Sequence, residues 1–122
     1  MKHFIIIMSL LSLLFGCKNP QQNDSITILN QADFKAAITN KQVQLIDVRT
    51  PKEYNSGHID KAKNVDIFNQ KAFVDEANKL NKDEAIYLYC RSGKRSQKAA
   101  RKLDSLGFKK IYDLEGGFLD WK

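Results

Sequence analysis

The chain has 122 residues, 43% of them hydrophobic, which is enough for one compact domain with a single core and too little for two. Its formal charge of +6 raises the question of a nucleic-acid partner, yet the aromatic residues sit in apolar runs rather than among the basic ones. The expectation is a monomer with one catalytic or binding site and no nucleic acid.

Residues 1–16 carry Lys2, an apolar run from Phe4 to Phe15 and then Gly16, the order of a secretory signal peptide. The run is too short to cross a bilayer, which takes about 20 residues. Leu14-Phe15-Gly16-Cys17 resembles the lipobox of bacterial lipoproteins, which implies cleavage before Cys17 and a lipid on its thiol. The expected localisation is export, with a lipid anchor in a cell-envelope membrane and the domain facing the periplasm. An ordinary secretory signal or an uncleaved anchor is the alternative, and it also places the domain outside the cytoplasm. Loss of residues 1–16 removes Lys2 and lowers the formal charge by one, to +5, which suits an anionic small substrate or an acidic lipid surface. Residues 17–25 are polar and aperiodic, and they read as the lipidated end and a flexible tether.

From Ile26 to residue 122, short apolar runs alternate with helical patterns, the mark of an α/β domain with a mainly parallel sheet. Strands are predicted at Ile26 to Leu29, Val43 to Asp47, near Asn64-Val65, at Ala85 to Tyr89 and at Lys110 to Leu114. Phe34, Ala37 and Ile38 share one helical face, and Phe73, Ala77 and Leu80 another, with Asn30 and Asn69 as N-caps. Thr50, Pro51 and Glu53 spell a capped helix start, with an end near Gly57. The last long helix is predicted from about Ser96 to Gly107, burying Ala99, Ala100, Leu103 and Leu106.

In open parallel sheets, ligands bind beyond the carboxyl ends of the strands. The segments there are Asp47-Val48-Arg49, Cys90-Arg91-Ser92-Gly93-Lys94-Arg95-Ser96 and Glu115-Gly116-Gly117. With Cys17 lipidated, Cys90 is the one thiol left, at a strand-to-loop boundary with three cations in the next five residues. Gly93 permits the loop to curl its N–H groups around the sulfur, so the segment predicts a nucleophilic cysteine at the floor of an anion-binding cup. A nucleotide-binding P-loop would need Gly at Leu88 and Ser or Thr at Arg95. A cysteine phosphatase would need its Arg where Ser96 stands, so this loop is one residue short.

These segments, with Glu53-Tyr54, Gly57-His58-Ile59, Leu114 and Trp121, resemble a single-domain rhodanese over about Ile26 to Trp121. The resemblance implies a rhodanese-like fold: an open, mainly parallel sheet of about five strands with helices on both faces. It implies a sulfurtransferase that moves a sulfane sulfur from a thiosulfate-like anion, through a Cys90 persulfide, to a thiol, thiol-protein or cyanide-type acceptor. No cofactor and no metal is implied. Backbone N–H groups from Arg91 to Ser96 would stabilise the sulfur, and Arg91, Lys94 and Arg95 would attract the donor. Ser92 and Ser96 could donate to the sulfur, although Ser96 could equally be an N-cap. Asp47, Arg49 and Glu53 are expected to support the site, with Asp47 or Glu53 pairing Arg49. His58 reads as a hydrogen-bonded turn residue. Gly116 and Gly117 are expected to allow a close backbone approach to the cup, and Trp121 to pack on the core. A binding or redox-sensing module and a persulfide relay to a protein partner are the competing functions.

Overall fold

A computed structural model describes residues 24–122. The five apolar runs form strands β1 (Ile26–Leu29), β2 (Gln44–Asp47), β3 (Lys63–Asn64), β4 (Ile86–Tyr89) and β5 (Ile111–Leu114). All neighbours pair in parallel, in the order β1-β5-β4-β2-β3, so β4 is central and both it and β5 are interior strands. That placement suits their composition: Ile86, Leu88, Tyr89, Ile111 and Leu114 are buried, as a strand covered on both faces requires. The predicted signal peptide, Cys17 as the expected lipidation site and most of the predicted tether fall in residues 1–23, outside the described residues. One residue before β1, the Ser25 carbonyl accepts from the Ile111 N–H at 2.8 Å.

Four helices connect the strands, α1 (Gln31–Ile38), α2 (Pro51–Asn55), α3 (Gln70–Ala77) and α4 (Lys94–Ser105), and a fifth, α5 (Gly117–Asp120), follows β5. Asn30 and Asn69 cap α1 and α3 by accepting from the Asp33 and Ala72 N–H groups. Thr50 and Glu53 form the reciprocal capping box of α2. On one face of the sheet, Phe73 and Ala77 from α3 and Ala99, Ala100 and Leu103 from α4 pack on Ile46, Leu88 and Ile111. On the other, Phe34, Tyr54, Phe118 and Trp121 gather around Leu45, Tyr89 and Leu114.

Two expectations change. α4 starts at Lys94 rather than Ser96, because Gly93 itself takes the N-cap position with φ +111°. Ser96 is therefore not an N-cap; it sits in the first turn with its hydroxyl turned back to the Gly93 carbonyl, 3.0 Å away. The second is an addition: a short helix that the sequence does not predict, α5, follows Gly116, which caps it with φ +76°. Two adjacent glycines read as a loop, and four residues carry too little periodicity to correct that reading.

Candidate active site

The three segments picked from the sequence meet at the carboxyl ends of β2, β4 and β5, with Cys90 on the floor. Its side chain is 1% exposed and belongs to the apolar cluster under α4. β4 ends at Tyr89, so the chain leaves the sheet at Cys90 and loops through Arg91 and Ser92 to Gly93 before α4 begins. The Gly93 N–H comes back to the sulfur at 3.0 Å. The Cys90 thiol donates to the Ser96 hydroxyl at 3.3 Å, and Ser96 is fully buried. In the first turn of α4 the N–H groups of Lys94, Arg95 and Ser96 have no intrahelical acceptor, and the positive end of the helix faces the same space. Of the N–H groups expected to cradle the sulfur, that of Gly93 bonds it directly.

The loop is fastened from behind by α5. The Phe118 N–H donates to the Cys90 carbonyl at 2.8 Å and the Leu119 N–H to the Arg91 carbonyl at 3.0 Å. Gly117 makes this approach possible: a Cβ there would lie 2.5 Å from the Arg91 oxygen and 2.7 Å from that of Cys90. Gly116 does not approach the cup; its open side faces the Asp120 side chain within α5.

The expected support residues divide into two pairs. Asp47 and Arg49, both buried, form a forked ion pair at 2.7 to 3.1 Å, and the Arg49 guanidinium also donates to the Gly57 carbonyl at 2.6 Å. Arg49 lies over the Phe118 ring at 4.4 Å, which links the β2 loop to α5. Glu53 takes Arg95 instead, in a two-point contact of 2.6 and 2.8 Å. The hydrogen bond from Arg95 comes first among the causes that hold the Glu53 carboxyl down at about 2. Arg95 is thus committed to Glu53 and stacked near the exposed ring of Phe68, while Arg91, Ser92 and Lys94 are exposed around the mouth. His58 is the turn residue expected, its Nδ1 2.9 Å from the Tyr54 carbonyl and its ring stacked on Tyr54. Trp121 packs edge-on against Phe34.

One residue of the site escaped the sequence reading. Asp113, on β5, is 2% exposed and sits under the start of α4, where Gln97 donates to its Oδ2 and Ser96 faces it. Its Oδ1 is buried without a hydrogen-bond partner. The available signal was the alternation in Ile111-Tyr112-Asp113: a carboxylate two residues from a core isoleucine points to the same face.

A buried thiol with a backbone N–H on its sulfur, in a loop that carries three basic residues, is equipped to act as a nucleophile toward an anion. Comparison with known proteins agrees. The family described as "Rhodanese-like domain" matches residues 30–122. The uncharacterised protein YqhL of Bacillus subtilis is 39% identical over 93 residues, spanning 76% of this chain and 70% of YqhL. Thiosulfate sulfurtransferase GlpE of Shewanella oneidensis is 38% identical over 81 residues, 66% of this chain and 77% of GlpE. Some relatives are longer: the chain spans 36% of tRNA uridine(34) hydroxylase of Pelagibacter ubique. The crystal structure of a rhodanese-like domain protein from Staphylococcus aureus superposes with a TM-score of 0.68 at 31% identity, covering 79% of this chain and 91% of that one. Since the matched stretch holds α1 through α5 and the whole Cys90 cup, this chain belongs to the rhodanese-like family, a family that includes thiosulfate sulfurtransferases.

Proposed function

We propose that the protein is a rhodanese-type sulfurtransferase that carries sulfane sulfur on Cys90. The observation that supports this most is the sulfur itself, buried, with the Gly93 N–H at 3.0 Å and the first turn of α4 opening onto it. Thiosulfate fits as donor: the Cys90 thiolate attacks its outer sulfur, a new S–S bond forms, and the old S–S bond breaks as its electron pair leaves with sulfite. The anionic persulfide then occupies the cup, stabilised by the same N–H groups. Attack on the outer persulfide sulfur by a thiolate or cyanide forms the product and returns the Cys90 thiolate. Arg91 and Lys94, exposed at the mouth, attract the donor. Cys90→Ser is expected to abolish thiosulfate-dependent transfer, and the wild-type protein to gain the mass of one sulfur on incubation with donor. Failure to gain it with any sulfane donor would overturn the reading in favour of a non-catalytic binding or redox-sensing module.

Relay to a protein acceptor is a second reading, favoured by exposed apolar side chains beside the cup. Phe68 is 65% exposed next to Arg95, and Leu119 is 59% exposed on the helix that fastens the loop. Faster transfer to a thiol protein than to small thiols, slowed by Phe68→Ser and Leu119→Ser, is the expected outcome. The protein is further proposed to be exported and held by lipid at Cys17 to a cell-envelope membrane, on the strength of the amino-terminal pattern. Cys17→Ser is expected to release it from membranes and end acyl labelling; label persisting in that variant would refute the anchor.

A further inference from the structure

We propose that Phe68, Arg95 and Glu53 form a subsite for the organic body of a singly charged sulfane donor, an organic thiosulfonate (R–SO2–S⁻), and tilt the protein toward such donors and away from dianionic thiosulfate. The inference deepens the reading above and rests on Cys90 as the group that accepts the sulfur. The loop after Cys90 carries three cations, and the structure divides them. Arg91 and Lys94 are exposed and enter no ion pair among the described residues. Arg95 is gripped at two points by Glu53, at 2.6 and 2.8 Å, so its charge is cancelled where it stands.

Glu53 is set in place from its own helix. Its Oε1 accepts from the Thr50 hydroxyl at 3.0 Å and from the Thr50 N–H at 3.3 Å, so the capping box holds the carboxylate ready for Arg95. The Arg95 guanidinium lies over the Phe68 ring at 5.4 Å and is near enough to Cys90 for their charges to interact. Phe68 is 65% exposed and belongs to neither apolar cluster of the core, so its ring is open to a ligand rather than spent on packing. The rim of the cup thus combines two free cations with an aromatic ring on a neutralised ion pair. Thiosulfate, with two charges and no apolar surface, makes use of the first only. An organic thiosulfonate makes use of both, with its single charge for Arg91 and Lys94 and its organic group for Phe68. The chemistry is unchanged: the Cys90 thiolate attacks the outer sulfur, an S–S bond forms, and the donor's S–S bond breaks as its electron pair leaves on the sulfinate R–SO2⁻.

The test follows persulfide loading of Cys90 from benzenethiosulfonate and from thiosulfate. Phe68→Ala is expected to slow loading from benzenethiosulfonate by about fivefold relative to thiosulfate, the size of one aromatic contact. Glu53→Gln keeps an acceptor for the α2 cap and frees Arg95. It is expected to raise thiosulfate relative to benzenethiosulfonate by about two- to threefold, as one charge acting through water over roughly 7 Å would on one extra unit of donor charge. A second readout needs no sulfur transfer: alkylation of Cys90 by iodoacetate relative to iodoacetamide, a ratio in which the reactivity of the thiolate itself cancels, should rise by a similar factor in Glu53→Gln. If neither donor loads Cys90, the sulfurtransferase reading falls and this one with it. If both load and Phe68→Ala leaves their ratio where it was, or Glu53→Gln moves neither the loading ratio nor the alkylation ratio, the subsite alone is overturned.

Discussion

Glu53 and Asp113 both lie within one side chain of the Cys90 loop, yet their carboxyls are perturbed in opposite directions. Arg95 lowers the Glu53 carboxyl to about 2, so that pair stabilises the fold above the ordinary carboxylate range and is lost as pH falls from about 4.5 towards 2. Glu53 and Arg95 are partly exposed, which limits the pair to about 1 kcal/mol. Burial raises Asp113 to about 6, so the folded state holds a proton that the unfolded chain has released. Stability from this group is whole below about pH 4 and declines as pH rises to 6. Asp113→Asn should therefore gain on the wild type by on the order of 2 kcal/mol between pH 4 and pH 7 in urea unfolding. At this scale the sequence was readable where chemistry is local. Cys90, Gly93 and the Thr50–Glu53 box are all set by near neighbours in the chain. The partner of Glu53 was not, because Glu53 and Arg95 are 42 residues apart and meet only when β2 and β4 pair.

α5 shows how one short helix can hold a site that it does not line. Its first N–H groups take the Cys90 and Arg91 carbonyls, and Gly117 brings the two backbones together. Gly117→Ala would press a methyl onto both carbonyl oxygens at a φ of +62°. A loss of roughly 2–4 kcal/mol is expected in urea unfolding, with sulfur transfer falling further than stability as the cup floor shifts. Gly93→Ala is the contrasting case. Its Cβ would meet nothing within 4 Å, so the cost is confined to φ +111°, about 1–2 kcal/mol, and the Gly93 N–H stays near the sulfur. The strands were legible because their apolar runs are long for their length and end in polar loops. The start of α4 was misplaced because a glycine N-cap carries no side-chain signature.

Across the molecule, cationic side chains outnumber anionic ones, 20 to 14, and Arg91 and Lys94 stand exposed at the mouth. For a dianionic donor, transfer should therefore slow with added salt: a several-fold rise in KM between about 0.05 and 0.5 M salt is expected, with kcat little changed. A neutral donor would show no such rise.

The wholly parallel sheet fixes a direction as well as a core. Chain from residue 25 enters at the amino ends of the strands, where Ser25 bonds Ile111, while Cys90 sits past their carboxyl ends. About 13 Å of strand separates the two ends. On the proposal that lipid holds Cys17, the anchor joins the domain at the end of the sheet opposite the Cys90 thiol, so the tether does not have to pass the mouth of the cup.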